Sequence, residues 1–248
     1  MISALAITYN EASNIERYIK SLSFADEIII VDSFSTDETE AIAKQHNVTF
    51  LQREFDDFSS QKNYALSLAK HDWILFFDLD EIISEDLAEE IQNRIANNSE
   101  TVAYKVKRNF HFMGKRIKYS GFQNDAVVRV FKKANAKYNG KAVHETLEVN
   151  GKVETLKNRS DHFSYKGFDA YNQKLTDYSS FQAQMLFDKN IRPNLYHFLF
   201  RPWYRFFHQY VIKFGFLDGK EGFILAYCSG FAVYKRYIKL WTLYRAID

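Results

Sequence analysis

Short apolar runs alternate with amphipathic segments over the N-terminal part of the chain. Four apolar runs predict buried strands at residues 3–9, 27–31, 48–52 and 73–77. Segments of helical spacing follow them at residues 15–22, 36–46, 59–70 and 85–97. Strands and helices that alternate in this way are typical of a parallel sheet with helices on both faces, so the predicted fold class is α/β.

The pattern changes after residue 100. Residues 101–110 and 126–131 are predicted to be strands. Asn150-Gly151, within residues 143–156, is a strong hairpin signal. Mixed or antiparallel strands are therefore expected to extend the parallel core.

Helical spacing dominates from Phe168 onward. A long first helix is predicted to carry one apolar stripe, through Tyr171, Leu175, Tyr178, Phe181 and Met185. Two more helices are predicted around residues 203–214 and 222–243. We therefore expect a mixed-sheet domain of residues 1–165 and a helical extension of residues 166–248.

Net charge and cysteine content exclude several classes of protein. The 248 residues carry 33 Lys and Arg against 31 Asp and Glu, a balance that gives no indication of nucleic-acid binding. Cys228 is the only cysteine, which excludes an intrachain disulfide framework and fits a reducing compartment. No signal peptide is expected, and the longest weakly polar stretch, residues 222–234, is too short to span a bilayer.

The fourth apolar run ends abruptly in acidic residues, Asp78-Leu79-Asp80-Glu81. Open α/β sheets bind their ligands at the carboxyl ends of the strands. Residues i and i+2 of a strand point to the same side, so Asp78 and Asp80 are expected to face one hard cation together. A divalent metal that carries a diphosphate would offset the cost of placing two carboxylates at the end of a buried strand.

Other interpretations of these acids differ in strength. The cap of the next helix is already supplied by Ser84 and the two acids after it. An EF-hand loop would need Asp or Asn at position 82 and Gly at position 83, where the chain has Ile82 and Ile83. A purely structural acidic cluster stays open. No G-x-G-x-x-G follows the first strand and no G-x-x-x-x-G-K-[ST] occurs, so a dinucleotide-binding Rossmann domain and a P-loop enzyme are not expected.

Several short motifs occur in a specific order along the chain. They are Thr8-Tyr9-Asn10-Glu11, Asp32-Ser33-x-Ser35-Thr36-Asp37, Gln61-Lys62-Asn63, Asp78-x-Asp80-Glu81, Asp125 before Val128-Arg129-Val130-Phe131, Val143-His144-Glu145 and Phe216-Leu217-Asp218-Gly219. In this order they resemble family 2 glycosyltransferases of the GT-A fold. Within that family they are most similar to lipopolysaccharide or lipooligosaccharide inner-core β-1,4-glucosyltransferases, and the resemblance covers nearly the whole chain.

The resemblance implies a metal-dependent, inverting transfer of a hexose, with UDP-glucose as the expected donor and a lipid-linked core oligosaccharide as the acceptor. The uridine pocket would fall on Thr8, Asn10, Glu11, Asp32 and Lys62. Asp80 would be the main ligand of Mg²⁺ or Mn²⁺, with Asp78 near the ribose or the water shell of the metal. The family more often has Gly in place of Phe34 and Arg in place of Lys62.

Two acids are candidates for the base that takes the acceptor's proton. Asp125 is the first, because its place before an apolar strand resembles that of the acid facing the anomeric carbon in family members, and Glu145 is the second. Asp125 is equally interpretable as an exposed acid in a turn. His162 is a candidate third metal ligand or diphosphate contact, and an ordinary hydrogen-bonded histidine is the alternative.

Basic and aromatic residues concentrate in residues 191–248, which carry nine basic and three acidic side chains. Helices of this composition suit an anionic membrane surface, with the aromatic rings at headgroup depth. The expected location is therefore the cytoplasm, at the inner face of the cytoplasmic membrane. Packing against the catalytic domain or against a second subunit of a homo-oligomer is the alternative, and no nucleic-acid partner is expected.

Two other functions compete with hexosyl transfer. A sugar nucleotidyltransferase shares the fold and the acidic metal site. Such an enzyme usually carries a Gly-rich, basic loop after the first strand, where this chain has Asn10-Glu11-Ala12-Ser13. The third hypothesis is a non-catalytic protein of the membrane surface whose acids are structural.

Overall fold

The computed structural model of the protein describes residues 1–97, 100–122, 125–140, 145–165 and 167–247. The chain divides into two compact units. The N-terminal unit comprises Met1–Arg108 and Asp125–His162, and the C-terminal unit comprises Asn109–Asn124 and Phe163–Asp248. Residues 109–124 thus group with the C-terminal helices.

Strands and helices alternate through the first half of the chain. The strands are β1 (Ile2–Thr8), β2 (Glu27–Asp32), β3 (Thr49–Gln52), β4 (Trp73–Phe76), β5 (Glu81–Ile82), β6 (Thr101–Phe112), β7 (Lys115–Arg116), β8 (Ala126–Lys132), β9 (Ala136–Tyr138), β10 (Leu147–Val149) and β11 (Lys152–His162). The helices are α1 (Ile15–Ser21), α2 (Thr39–Ala43), α3 (Phe58–Leu68), α4 (Glu85–Asn97), α5 (Phe168–Asp188), α6 (Leu195–Phe207) and α7 (Gly219–Arg245). The four predicted strands and four predicted helices before residue 100 are confirmed.

One large mixed sheet forms the N-terminal unit. Its strand order is β3-β2-β1-β4-β8-β6-β11-β5. The first four of these strands are parallel, with Thr8 beside Asp32 and Leu5 beside Phe76 in register. Strand β8 is antiparallel to both β4 and β6. The expected extension of a parallel core by antiparallel strands is therefore confirmed.

Apolar clusters cover both faces of this sheet. On one face, Ala4 and Ala6 of β1 pack in a cluster with Tyr18 of α1. On the other face, Leu5 packs with Phe76 and with Ala65 of α3. Burial of both faces explains why the first strands are almost continuously apolar instead of alternating.

The prediction of a hairpin at Asn150-Gly151 is wrong in its pairing. Strand β10 pairs with β9 in a separate small sheet, whereas β11 joins the large sheet and pairs with β5. Asn150 extends the small sheet, since its N–H donates to the Asn135 carbonyl at 2.8 Å. Gly151 has φ of +135°, and a Cβ there would lie 2.7 Å from Cγ2 of Val102. The turn exists, but it passes the chain from one sheet to the other.

The predicted apolar stripe along α5 is also wrong in part. Its buried residues are Tyr171, Ser179 and Ala183, while Tyr178 and Phe181 are exposed. Ser179 donates to the Ala232 carbonyl of α7 at 2.9 Å, so a small polar residue makes this close helix contact. Spacings of both three and four residues fit an apolar helix stripe, and the sequence does not show which of them meets a partner helix.

The C-terminal unit is built on α5, α6 and α7. Gly230 of α7 allows α6 to approach closely, since a Cβ at Gly230 would lie 2.9 Å from the Pro202 carbonyl oxygen. Asp218 accepts hydrogen bonds from Lys118 N at 2.8 Å and from Tyr119 N at 3.0 Å, which ties residues 118–119 to the start of α7. Within the described residues, no helix combines the length and the apolar character needed to cross a membrane.

Candidate functional site

Polar residues follow the parallel strands at one edge of the large sheet. Thr8 ends β1 and lies beside Asp32, the last residue of β2. Asp78 follows β4, the other neighbour of β1. The carboxyl ends of parallel strands meet at the same edge, so three of the predicted site residues are brought to one place. The Thr8 hydroxyl is buried and has no hydrogen-bond partner within the described residues.

The loops after β1 and β2 are joined by hydrogen bonds through Asn10 and Glu11. The Asn10 N–H donates to the Ser35 hydroxyl at 2.8 Å, and the Asn10 side-chain oxygen accepts from the Thr36 N–H at 2.8 Å. The Glu11 N–H donates to the Thr39 hydroxyl at 2.8 Å. These contacts hold the two predicted nucleotide-binding loops in one arrangement.

Asp32 organises the turn that follows β2. Its side chain is fully buried and accepts from the Ser35 N–H at 2.8 Å, from the Ser35 hydroxyl and from the Gln52 side chain at 3.3 Å. The carboxylate oxygens are therefore already hydrogen-bonded within the protein. The adjacent Phe34 has φ of +60° and is 53% exposed. This is the left-handed region, which explains why glycine suits this position.

Asp78 and Asp80 lie in the turn between β4 and β5 and not on a strand. Strand β4 ends at Phe76, and the Glu81 N–H donates to the Asp78 carbonyl at 2.9 Å to close the turn. The expectation that Asp78 and Asp80 share one side of a strand is therefore wrong in its geometry. Leu79 is nonetheless buried while both aspartates reach the surface, so the two carboxylates still emerge from the same loop.

Arg129 of β8 lies at the base of this turn. Its Nη2 donates to Asp78 and, at 2.6 Å, to Oε1 of Glu81. Arg129 is 5% exposed and Glu81 is fully buried. Burial acts to raise the pKa of the Asp78 carboxyl, but the positive charges of Arg129 and Lys62 outweigh it, so that pKa lies below its ordinary value. Asp78 is thus an ionised, salt-bridged residue.

Arg108 of β6 connects the same buried acid to the first candidate base. Its Nη1 lies 2.9 Å from Oε1 of Glu81. Its Nε lies 2.8 Å from Oδ2 of Asp125, and Nη2 donates to the same oxygen. The Arg108 N–H also donates to the Asp125 carbonyl at 3.0 Å. The Asp125 side chain is 46% exposed, so Arg108 fixes its orientation and leaves it accessible.

His162 is placed beside Asp80. It ends β11 and lies in register with Glu81 of β5, which brings its Nε2 to 3.2 Å from Oδ2 of Asp80. The two predicted metal ligands Asp80 and His162 are therefore in contact. The 3.2 Å separation is that of a hydrogen bond, which agrees with both interpretations of His162.

Lys62 of α3 pairs with the second candidate base. Its Nζ lies 3.0 Å from Oε1 of Glu145, and both side chains are mostly buried. The Lys62 ammonium also lies 5.2 Å from the centre of the Tyr138 ring. Two residues that are 83 positions apart in the sequence thus form one cationic and anionic pair at the site. His144, the neighbour of Glu145 in the Val143-His144-Glu145 motif, lies outside the described residues.

No group of three His, Cys, Asp or Glu side chains among the described residues is arranged to hold a metal ion by itself. The side chains that could bind a metal here are the Asp80 carboxylate and the His162 imidazole. The Asp78 carboxylate is paired with Arg129. Mg²⁺ and Mn²⁺ accept few protein ligands when a substrate supplies phosphate oxygens. These residues therefore fit a metal that arrives with a diphosphate, and they do not fit a metal held by the protein alone.

The sequence interpretation missed the importance of Glu81 and Arg108. Glu81 ends the Asp78-x-Asp80-Glu81 motif and the motif predicts no role for it, yet it is the acid that both arginines share. A signal was available, since Arg129 interrupts the apolar run of β8 and a buried arginine requires an acidic partner. The sequence alone does not show which acid that partner is.

Related sequences match the chain over most of its length. The family model described as glycosyl transferase family 2 matches residues 3–191. An uncharacterized glycosyltransferase of Rickettsia felis is 31% identical over 258 residues, which cover 96% of this chain and 89% of that protein. The lipopolysaccharide core biosynthesis glycosyltransferase LpsC of Rhizobium meliloti is 26% identical over 250 residues, which cover 95% and 93%.

Solved structures show the same fold. Glucosyl-3-phosphoglycerate synthase of Mycobacterium tuberculosis, in complex with Mn²⁺, UDP and glucosyl-3-phosphoglycerate, aligns with a TM-score of 0.50 at 17% identity over 80% of this chain and 83% of that one. TarS of S. aureus aligns with a TM-score of 0.50 at 14% identity over 99% of this chain and 55% of that one. The predicted GT-A fold is confirmed. The chain belongs to glycosyl transferase family 2.

Proposed function

We propose that the protein is a metal-dependent, inverting hexosyltransferase that moves glucose from UDP-glucose to a lipopolysaccharide or lipooligosaccharide core acceptor. The observation that carries the proposal is the acidic turn after β4. In this turn Asp80 contacts His162, at the same edge of the sheet where β1 ends in Thr8 and β2 ends in Asp32. The relative in Rhizobium meliloti that is named for lipopolysaccharide core biosynthesis supports this acceptor class.

The donor's uridine is assigned to the joined loops after β1 and β2. Thr8, Asn10 and Glu11 supply the wall formed by the first loop. Asp32 is already hydrogen-bonded by Ser35 and Gln52, so its first role is to shape the pocket. It acts on the uracil ring either after the turn that follows β2 rearranges or through the residues next to it. Lys62 supplies a positive charge that acts on Asp78, which suits a nucleotide diphosphate.

Asp80 and His162 would hold Mg²⁺ or Mn²⁺ together with the donor's diphosphate, and the bound metal would stabilise the negative charge that develops on the leaving UDP. Asp78 is assigned to the ribose or to the water shell of the metal. Arg129 keeps Asp78 ionised and fixed, and Glu81 holds Arg129 in turn. The acidic turn is therefore arranged before the donor binds, which reduces the reorganisation that the reaction needs.

Asp125 is assigned as the general base. In an inverting transfer the base takes the proton of the acceptor hydroxyl while that oxygen attacks the anomeric carbon and UDP leaves. Two N–H groups of Arg108 hold the exposed Asp125 carboxylate in one orientation. Glu145 is the second candidate, and its ion pair with Lys62 must loosen before it can accept a proton.

Attachment to the inner face of the cytoplasmic membrane is assigned to the C-terminal unit. Helix α6 has no buried residue, and Leu199, Phe200 and Trp203 are each 61% exposed. Arg192, Arg201 and Arg205 accompany these apolar side chains. Exposed rings with basic residues suit an anionic bilayer surface, where a lipid-linked acceptor lies. Flotation with anionic vesicles tests the attachment, and binding to a second copy of the chain without vesicle binding would contradict it.

A panel of UDP-sugars with Mn²⁺, Mg²⁺ or a chelator tests the enzymatic proposal. We expect metal-dependent release of UDP that is fastest with UDP-glucose. Formation of UDP-glucose from UTP and glucose 1-phosphate would instead identify a sugar nucleotidyltransferase. Failure of UDP with Mn²⁺ to raise the melting temperature would favour a non-catalytic surface protein.

A further inference from the structure

Three helices of the C-terminal unit enclose a cleft of about 410 Å³. Helix α5 contributes Gln182, α6 contributes Arg201 and Arg205, and α7 contributes Arg236. Arg201 and Arg205 are four positions apart and therefore lie on one face of α6. The volume falls within the range of sites that hold a small molecule or a lipid headgroup.

The charge of this cleft is unbalanced. Three guanidinium groups line it, and none of its lining residues is an aspartate or glutamate. Within the described residues, no ion pair joins Arg201, Arg205 or Arg236 to a carboxylate. Three positive charges at one place repel one another, and a protein that gathers them without acids is organised for an anion.

Of the three arginines, Arg236 gives the strongest evidence for a bound anion. Its Nε is buried and has no hydrogen-bond partner within the described part of the chain. Burial lowers the pKa of the Arg236 guanidinium, the Tyr237 hydroxyl opposes that decrease, and the charges of Arg201 and Arg205 add to it. A buried donor without an acceptor costs free energy, and a bound anion that accepts its hydrogen bond would remove that cost.

Aromatic contacts do not account for these arginines. Arg201 lies 5.9 Å from the centre of the Tyr196 ring, and Arg236 lies 6.0 Å from the centre of the Tyr237 ring. Both distances are at the outer limit of such contacts. A contact with a ring uses the face of the guanidinium, so it does not satisfy the N–H donors in the plane, among them the unpartnered Nε of Arg236.

We propose that this cleft binds a phosphate group, held by Arg201, Arg205 and Arg236, and that the phosphate belongs to an anionic lipid headgroup. The arginine fork matches phosphate oxygens in pairs. The lipid source follows from two tyrosines that line the same cleft, Tyr178 and Tyr204, since their rings are 60% and 61% exposed and suit headgroup depth. The phosphate site does not rest on glycosyl transfer, and the lipid source deepens the membrane attachment proposed above.

Two binding experiments distinguish a lipid headgroup from free phosphate as the ligand. The first measures cosedimentation of the full chain with phosphatidylglycerol vesicles and with phosphatidylcholine vesicles. The second measures the rise in melting temperature with inorganic phosphate. Arg201→Gln and Arg236→Gln are compared with Arg245→Gln, a control that removes the same charge from α7 outside the cleft. Stabilisation by UDP with Mn²⁺ is measured in every variant, so that loss of the donor site is recognised separately.

We expect the two cleft variants to weaken binding to phosphatidylglycerol vesicles by at least about tenfold, the scale of a lost charge-assisted hydrogen bond, while Arg245→Gln changes it little. Loss of phosphate stabilisation without an effect on vesicle binding would keep the phosphate site and overturn its lipid source. Cleft variants that match Arg245→Gln in both experiments would overturn the site. If Arg236→Gln does not fold, Arg201→Gln and Arg205→Gln, which change exposed side chains, serve instead.

Discussion

Arg129 donates through Nη2 to Oε1 of Glu81 over 2.6 Å, and both side chains are buried. Burying a charge is costly unless an opposite charge and hydrogen bonds compensate it. Here the compensation extends to the surface, because Arg129 also binds Asp78 and Arg108 joins Glu81 to Asp125. The metal-site loop and the candidate base are thus connected through one buried carboxylate.

Removing that carboxylate should destabilise the protein. Glu81→Gln leaves two buried or half-buried arginines without their shared anion, and we expect a loss of about 3–5 kcal/mol in the free energy of unfolding. Urea denaturation measures the loss. Glu89→Gln, an exposed change on α4, is the control and should stay within about 0.5 kcal/mol of the wild type. Equal stability of the two variants would show that the buried network contributes little.

Asp125→Asn should lower the turnover number with UDP-glucose by about 100-fold, the usual contribution of a general base. UDP affinity should not change, because Asp125 is assigned to the acceptor side. Steady-state kinetics and calorimetry with UDP separate the two quantities. Near-normal turnover in Asp125→Asn, with a large loss in Glu145→Gln, would move the role of base to Glu145.

Stability should depend on pH through Asp78. Its folded-state pKa lies below the ordinary value of 3.8. The Asp78 contribution is therefore complete above the unfolded-state pKa and is lost as the pH falls through the lower folded-state pKa. Between pH 6 and pH 2 the wild type should lose more stability than Asp78→Asn does, as measured by urea denaturation at each pH. Parallel pH curves for the two proteins would contradict this assignment.

A glycine at position 34 should stabilise the protein relative to residues that carry a Cβ. The φ of +60° at Phe34 lies in the left-handed region, which costs a residue with a Cβ about 1 kcal/mol or more relative to glycine. Phe34→Ala removes the ring but keeps the Cβ, so it is the matched control. We expect Phe34→Gly to be more stable than Phe34→Ala by about 1 kcal/mol in urea denaturation. The same stability in both variants would mean that the turn adapts without strain.

The order of the first elements could be predicted from the sequence, because buried parallel strands such as β1 and β2 are continuous apolar runs. The partners of β10 and β11 could not, since Asn150-Gly151 specifies a turn and not which strands pair across it. Lys62 and Glu145 were both predicted as site residues, but their contact depends on the distant loop after β9. Glu81 was not assigned because burial decides its role, and the sequence places it among other acids.

Calorimetric titration of UDP in the presence of Mn²⁺ tests the central claim most directly. The wild type should bind UDP with Mn²⁺ and lose that affinity when a chelator replaces the metal. Asp80→Asn should weaken metal-dependent binding by at least about tenfold. Asp72→Asn, an exposed change at the opposite end of β4, is the control and should bind as the wild type does. Equal UDP affinity with Mn²⁺ and with the chelator, unchanged in Asp80→Asn, would contradict the metal-dependent donor site.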